Sequence, residues 1–198
     1  MRQRILTLMA VASLLCAASA APAADFAVRP GGDSKVVFTS KAPTETFEGK
    51  TSQMTGTLSL DPGAVGDSIT VHLEVELASL DTGSKLRNKH MRENHLETGK
   101  FPKAVFDGAA VLTGAGAKLE PGASAAFQVE GTFTIHGVSR RLRCDAQATA
   151  GAGGKTVAFS ATFPILLSDY DIKRPEFLFM KLAETQQVRV SATASSQP

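Results

Sequence analysis

The sequence predicts an all-β fold of antiparallel strands, and three observations carry that expectation. Apolar and polar residues alternate in segment after segment. Ile69, Val71, Leu73, Val75 and Leu77, for example, are set against Thr70, His72, Glu74 and Glu76. A period of two marks a strand with one buried and one wet face. Turn-forming clusters separate such segments at short intervals, namely Asp61-Pro62-Gly63, Glu120-Pro121-Gly122, His136-Gly137 and Gly151 to Gly154. Finally, only one stretch reads as a helix, so the strand–helix rhythm of a parallel sheet is missing.

The elements are taken in chain order. The start, MRQRILTLMAVASLLCAASAAPAADF, sets Arg2 and Arg4 before an apolar run from Ile5 to Leu15 and a series of small residues. This is the pattern of a secretory signal peptide. Residues 1–23 are expected to be cleaved off, with the cut between 20 and 24, which places the mature protein in a bacterial periplasm. The apolar run is too short to span a bilayer as a mature helix. Leu15 stands where lipid attachment at Cys16 would require a small residue. Residues 24–198 then form one domain. The leader takes two of the 21 basic residues and none of the 19 acidic ones, leaving 19 of each. That balance gives no broad electrostatic reason to bind nucleic acid. Cys144 is the one cysteine left, so an intramolecular disulfide is ruled out and a hydrophobic core must hold the fold.

Strand alternation recurs in Phe127, Val129, Gly131, Phe133 and Ile135, in Leu142, Cys144, Ala146 and Ala148, in Val157, Phe159, Ala161, Phe163 and Ile165, and in Val188, Val190 and Ala192. A sheet this long either packs as a sandwich or closes on itself, and closure removes both exposed edges. The apolar rows mix Phe with Gly and Ala. That mixture fits a lumen or a tapered, filled core. The helix is expected over Lys85–Glu97, capped by Asp81 or Ser84, with Leu86, Met91 and Leu96 as its apolar marks. Gly99 ends it and Pro102 forbids easy continuation.

That crossover holds the most chemical-looking stretch, KHMRENHLETGKFP, from Lys89 to Pro102. His90 and His95 are five apart, which turns the second about 140° from the first at roughly 100° per residue. A zinc-binding helix places two histidines four apart on one face, so this spacing argues against a metal site. A metal-dependent enzyme would have to draw on His90, His95 and His136 with Glu93 or Glu97. Cys144 sits on an apolar strand face and reads as a small buried hydrophobe. Serine elbow and phosphate loop are both missing, and Gly151 to Gly154 reads as a turn. These residues point away from an enzyme and from a cofactor.

The same stretch carries a resemblance. Arg92-Glu93-Asn94-His95-Leu96 followed by Lys100-Phe101-Pro102 and Val105-Phe106 resembles the central signature of the YceI-like family. Gly131-Thr132-Phe133-Thr134-Ile135-His136-Gly137-Val138-Ser139-Arg140 is similar to a second family element, a strand running into a turn. Asp33 to Phe38 and Leu167 to Ile172 resemble two weaker ones. Together they cover about Asp25 to Ala194. The resemblance implies a closed, eight-stranded, lipocalin-like antiparallel barrel with a short helix in a crossover. It also implies non-enzymatic binding, transport or sequestration of an isoprenoid, a quinone or another long-chain lipid. The alternative is a structural or stress-related periplasmic interaction protein with a filled barrel. The expected wall residues are Phe38, Phe127, Val129, Phe133, Leu142, Cys144, Phe159 and Phe163. Phe47, Met54, Met91, Tyr170, Phe177, Phe179 and Met180 are expected near the mouth. His95, Pro102 and Gly137 are expected to be structural. Arg140, Arg141, Lys173, Arg174 and Lys181 offer positive charge for transient contact with a membrane surface, and a homodimer would shield a mouth.

Overall fold

The computed structural model describes residues 24–43, 45–60, 69–112, 121–177 and 180–197, with the side chains of Ala24, Leu60, Val111, Leu112, Phe177 and Met180 outside that description. The expected leader with Cys16, the Asp61-Pro62-Gly63 turn, Glu120 and Phe179 also lie outside it. The strands are β1 (Ala24–Val28), β2 (Lys35–Lys41), β3 (Thr46–Thr51), β4 (Met54–Leu60), β5 (Ile69–Glu76), β6 (Lys103–Leu112), β7 (Ser124–Ile135), β8 (Val138–Ala150), β9 (Thr156–Leu166), β10 (Glu176–Phe177), β11 (Met180–Lys181) and β12 (Thr185–Ser196).

All the ladders are antiparallel, and the main sheet closes through β12. β1 and β2 both pair with β12, where Val28 faces Ala194 and Val36 faces Val190. They are therefore two pieces of one wall strand, broken at residues 29–34. Asp33, in that break, accepts hydrogen bonds from the Thr193 amide (3.3 Å) and the Thr193 hydroxyl, which fastens the excursion to β12. β3 and β4 are likewise two pieces of the next wall strand, pairing with β2 and β1. With each broken strand counted once, the ring runs β1/β2, β3/β4, β5, β6, β7, β8, β9, β12, which is an eight-stranded closed barrel. The separate β10–β11 hairpin stands between β9 and β12 in the chain.

Alternation turns one row of each strand inward. Phe127, Phe133 and Ile135 of β7 are buried, as are Val157, Phe163 and Ile165 of β9 and Val188, Ala192 and Ala194 of β12. Large rings need small neighbours in such a wall. Gly108 of β6 and Gly131 of β7 face each other, and the Phe106 ring lies over the pair. A Cβ at Gly131 would stand 2.6 Å from the Gly108 Cα and 2.7 Å from Phe106 Cζ, which is closer than packed atoms approach.

The crossover from β5 to β6 contains the predicted helix in shorter form. α1 spans Lys85–His90 and is capped by Ser84, whose hydroxyl accepts from the Arg87 amide at 3.4 Å. The chain then widens into a π turn over Met91–His95, where the Leu96 amide bonds the Met91 carbonyl at 2.8 Å. That turn holds one residue more than an α-turn. It carries buried Leu96 underneath and His95 toward the β9–β10 connection. Asn88 anchors the helix from beneath. Its Oδ1 accepts from the Thr82 amide (2.9 Å) and hydroxyl (2.7 Å), and its Nδ2 donates to Asp81 (2.7 Å).

Candidate ligand-binding lumen

The inward rows do not fill the barrel. An inner chamber of about 110 Å³ lies between Met54, Leu58, Val71, Phe106, Phe127, Val129, Leu142, Cys144, Ala146, Phe159 and Ala161. An outer chamber of about 630 Å³ lies above it, bounded by Val36, Phe38, Phe47, Leu77, Leu80, Met91, Leu96, Ile135, Ile165, Ile172 and Val188. Val75, Ala104, Phe133, Phe163 and Val190 line both, so they form a waist between them. Phe133 and Phe163 meet edge to face across the waist, with ring centroids 5.8 Å apart. The outer volume falls in the ~300–1,000 Å³ range of small-molecule sites. An apolar space the size of the inner one is of the kind that stays dry.

Polar groups gather where the outer chamber reaches solvent. Its rim carries Glu45 from the β2–β3 loop, Leu86, Arg87 and His90 from α1, and Glu176 and Lys181 from the β10–β11 hairpin. Leu86 is 65% exposed. Arg87 pairs with Glu45 at 2.9 Å and lies over the Phe47 ring, 3.9 Å from its centroid. Lys181 pairs with Glu176 at 3.0 Å. Among the described residues, Ser40 and Gln186 are the buried polar side chains of the wall.

The crossover is fastened at two points. His95 Nδ1 donates to the Lys173 carbonyl at 2.8 Å. Burial pushes its imidazole below the ordinary value, the hydrogen bond opposes that in part, and the nearby His90 and Lys173 charges add to it. Glu97 accepts from His136 Nε2 at 2.9 Å, and His136 Nδ1 bonds the Tyr170 carbonyl at 3.1 Å. Phe101 packs edge to face on His136, with centroids 4.8 Å apart, and lies against Gly137. The Pro102 carbonyl accepts from the Leu77 amide at 2.9 Å, which joins the two ends of the crossover.

The structure places Phe127, Val129, Leu142, Cys144 and Phe159 on the inner chamber, Phe38 on the outer one, and Phe133 and Phe163 on the waist. Met54, expected at the mouth, is instead wholly buried in the inner wall. Tyr170 is buried behind Phe133, 5.6 Å between centroids, and is on neither chamber's lining. It follows β9 in a 3₁₀ turn (Leu167–Tyr170) rather than in the strand, which removes it from the inward row. Phe177 and Met180 are outside the described side chains. Burial raises the Cys144 thiol above its ordinary value, with Asp145 adding to this. Among the described residues, no three His, Cys, Asp or Glu side chains gather as a metal site would need.

Sequence reasoning missed Ser40, Ala104, Phe106, Arg87 and Gln186. The first three lie in alternating rows that a longer reading of β2 and β6 would have extended to them. The position of Arg87 depends on how α1 is placed, which alternation cannot show.

This is a closed antiparallel barrel with an apolar, two-chambered lumen rather than a solid core. The YceI-like domain family profile matches residues 26–194, and the chain belongs to that family. A UPF0312 protein of Shewanella putrefaciens is 29% identical over 180 residues, covering 87% of this chain and 89% of the relative. Among solved structures, a polyisoprenoid binding domain from Saccharophagus degradans superposes with a TM-score of 0.70 at 18% identity, covering 88% of this chain and 99% of that one. BcnA of Burkholderia cenocepacia superposes with a TM-score of 0.67 at 21% identity, covering 82% and 96%. At these identities the two structures attest the fold.

Proposed function

We propose that this protein binds and carries an isoprenoid-like amphiphilic lipid, acting as a container rather than an enzyme. The observation that carries the reading is the pair of chambers joined at the waist. A chain threaded from rim to inner chamber would leave water along its whole length, and each buried CH₂ contributes roughly 0.8 kcal/mol. The resemblance to a polyisoprenoid binding domain supports the same reading. A quinone or another long-chain lipid meets the same lining. The leader-like residues 1–23 support export to the periplasm, and exposed Leu86 offers a point of contact with a membrane surface during loading. A filled-barrel interaction module fits less well, because its core would have no use for a space of about 630 Å³.

The test is extraction of the purified protein into organic solvent, followed by mass analysis, for the native chain and for Ala161→Leu. Ala161 faces Ala146 across the β8–β9 ladder in the inner wall, so a leucine there fills space without a backbone change. The expected result is a stoichiometric lipid from the native protein and much less from the variant, whose melting temperature stays equal or rises. Equal lipid content in both, or none in the native protein after expression in a lipid-rich host, counts against the reading.

A further inference from the structure

The wall has a seam between β8 and β9. Their ladder runs from Ala150↔Val157 to Ala146↔Ala161 and stops there. Continued in register, it would set Phe163 opposite Cys144 and Leu166 opposite Arg141. Among the described residues, however, β8 from Val138 to Asp145 pairs with β7 alone, and β9 from Thr162 to Leu166 pairs with β12 alone. Pro164 stands in that stretch of β9, where it has no N–H to give to a ladder.

Residues 167–175 fill the seam without joining either edge as a strand. The 3₁₀ turn after β9 packs against both β8 and β9. Its Tyr170 is 4% exposed, with the ring against Phe133 of the waist. Leu167, Ile172 and Pro175, from the same strap, line the outer chamber. The hydroxyl end of the ring meets charge. Burial raises the phenol above its ordinary value, Asp169 adds to this and Arg140 opposes it. Arg140 pairs with Phe133 across β7–β8 and so belongs to the inward row, yet it is exposed. The strap is fastened by side chains of other elements. His136 bonds the Tyr170 carbonyl at 3.1 Å, His95 bonds the Lys173 carbonyl at 2.8 Å, and Glu184 accepts from the Ser168 amide at 2.9 Å.

Resting on the lipid-binding reading above, we propose that the β8–β9 seam is a side portal to the lumen and that Tyr170 is its plug. Swinging the strap outward uncovers Phe133 and lets a long chain enter sideways beside the waist, before it settles along the two chambers. No ladder between wall strands has to break for this movement, so it opens at lower cost than the barrel itself.

The probe is retinol, a fluorescent isoprenoid alcohol. It is mixed with delipidated protein by stopped flow and then displaced by excess geranylgeraniol. A plug sets the barrier and not the depth of the bound state. Tyr170→Ala is therefore expected to raise the association and dissociation rates together by about tenfold, with Kd within about twofold of the native value. Tyr170→Phe, which keeps the ring, is expected to restore both rates. Unchanged rates in a folded Tyr170→Ala, or faster dissociation alone with weaker binding, overturns the portal. Because removing a buried ring also costs stability, the native protein supplies a second reading. The amides of Leu167, Asp171 and Ile172 are hydrogen-bonded. Their hydrogen exchange is expected to be about tenfold or more faster than that of residues 146–150 in the β8–β9 ladder. Strap amides as well protected as the ladder overturn the portal even if no variant folds. In each of these cases retinol binding by the native protein still upholds the container, whereas a native protein that binds no retinol overturns the container and the portal with it.

Discussion

Gly137 shows how a single position can join two distant parts of the chain. With φ +75, beside His136 at φ +54, it makes the tight turn from β7 to β8, where two consecutive residues need the left-handed region. A Cβ there would also stand 2.6 Å from Phe101 Cε1, inside the contact that holds the end of the crossover. Gly137→Ala is expected to destabilise the fold by about 1–3 kcal/mol, read as a drop in the denaturation midpoint at unchanged slope. A midpoint within error of the native one would mean that the turn tolerates a side chain. His-Gly was legible in the sequence as a turn because its chemistry is local. The contact with Phe101 was not, because it depends on how a crossover some thirty-five residues earlier comes to rest. Tyr170 illustrates the reverse case, in which an aromatic next to a strand invites a ligand role until a 3₁₀ turn takes it behind the wall.

At the scale of elements, the crossover departs most from the local reading. Ser84, Gly99 and Pro102 announced a helix and its end. The shift to a π turn at Met91 depends on burying Leu96 and reaching Lys173, which are tertiary demands. His95 is the group through which that element should respond to pH. Burial favours its neutral ring in the folded state, so its folded value lies below the ordinary 6.5 that the unfolded chain keeps. Between those two values the unfolded chain binds more protons than the folded one. The contribution of His95 is therefore fully present above about pH 6.5 and is lost as pH falls below that. The melting temperature is expected to drop more steeply from pH 7 to pH 5 in the native protein than in His95→Gln, which keeps a donor for the Lys173 carbonyl but does not titrate. His95→Ala should melt lower than either at pH 7 while still holding lipid. Equal pH slopes in the native and Gln proteins would remove His95 from this role.

For the whole molecule, the strands and their inward rows were legible because a period of two survives any choice of partner. Volume was not, since the same alternation of Phe with Gly and Ala fits a lumen or a tapered core until register is set. Register puts Phe133 and Phe163 at one level and leaves space on either side of them. A chain entering from the rim passes this waist before it reaches Cys144, the single cysteine of residues 24–198. The thiol therefore reports how far a chain penetrates. Burial raises its pKa, so alkylation by N-ethylmaleimide should be slow and should quicken with rising pH in the empty barrel. Prenyl alcohols of increasing length are expected to protect it in a threshold manner. Chains short enough to remain in the outer chamber should leave the alkylation rate unchanged, and chains that cross the waist should suppress it by about tenfold or more, the margin that displaces a weakly populated open state. Ala104→Leu, which narrows the waist, should abolish protection by the long alcohols while the outer chamber still binds the short ones. Protection that rises smoothly from the shortest alcohol, with no step, would mean that the two chambers behave as one space and that the Phe133–Phe163 pair does not divide them.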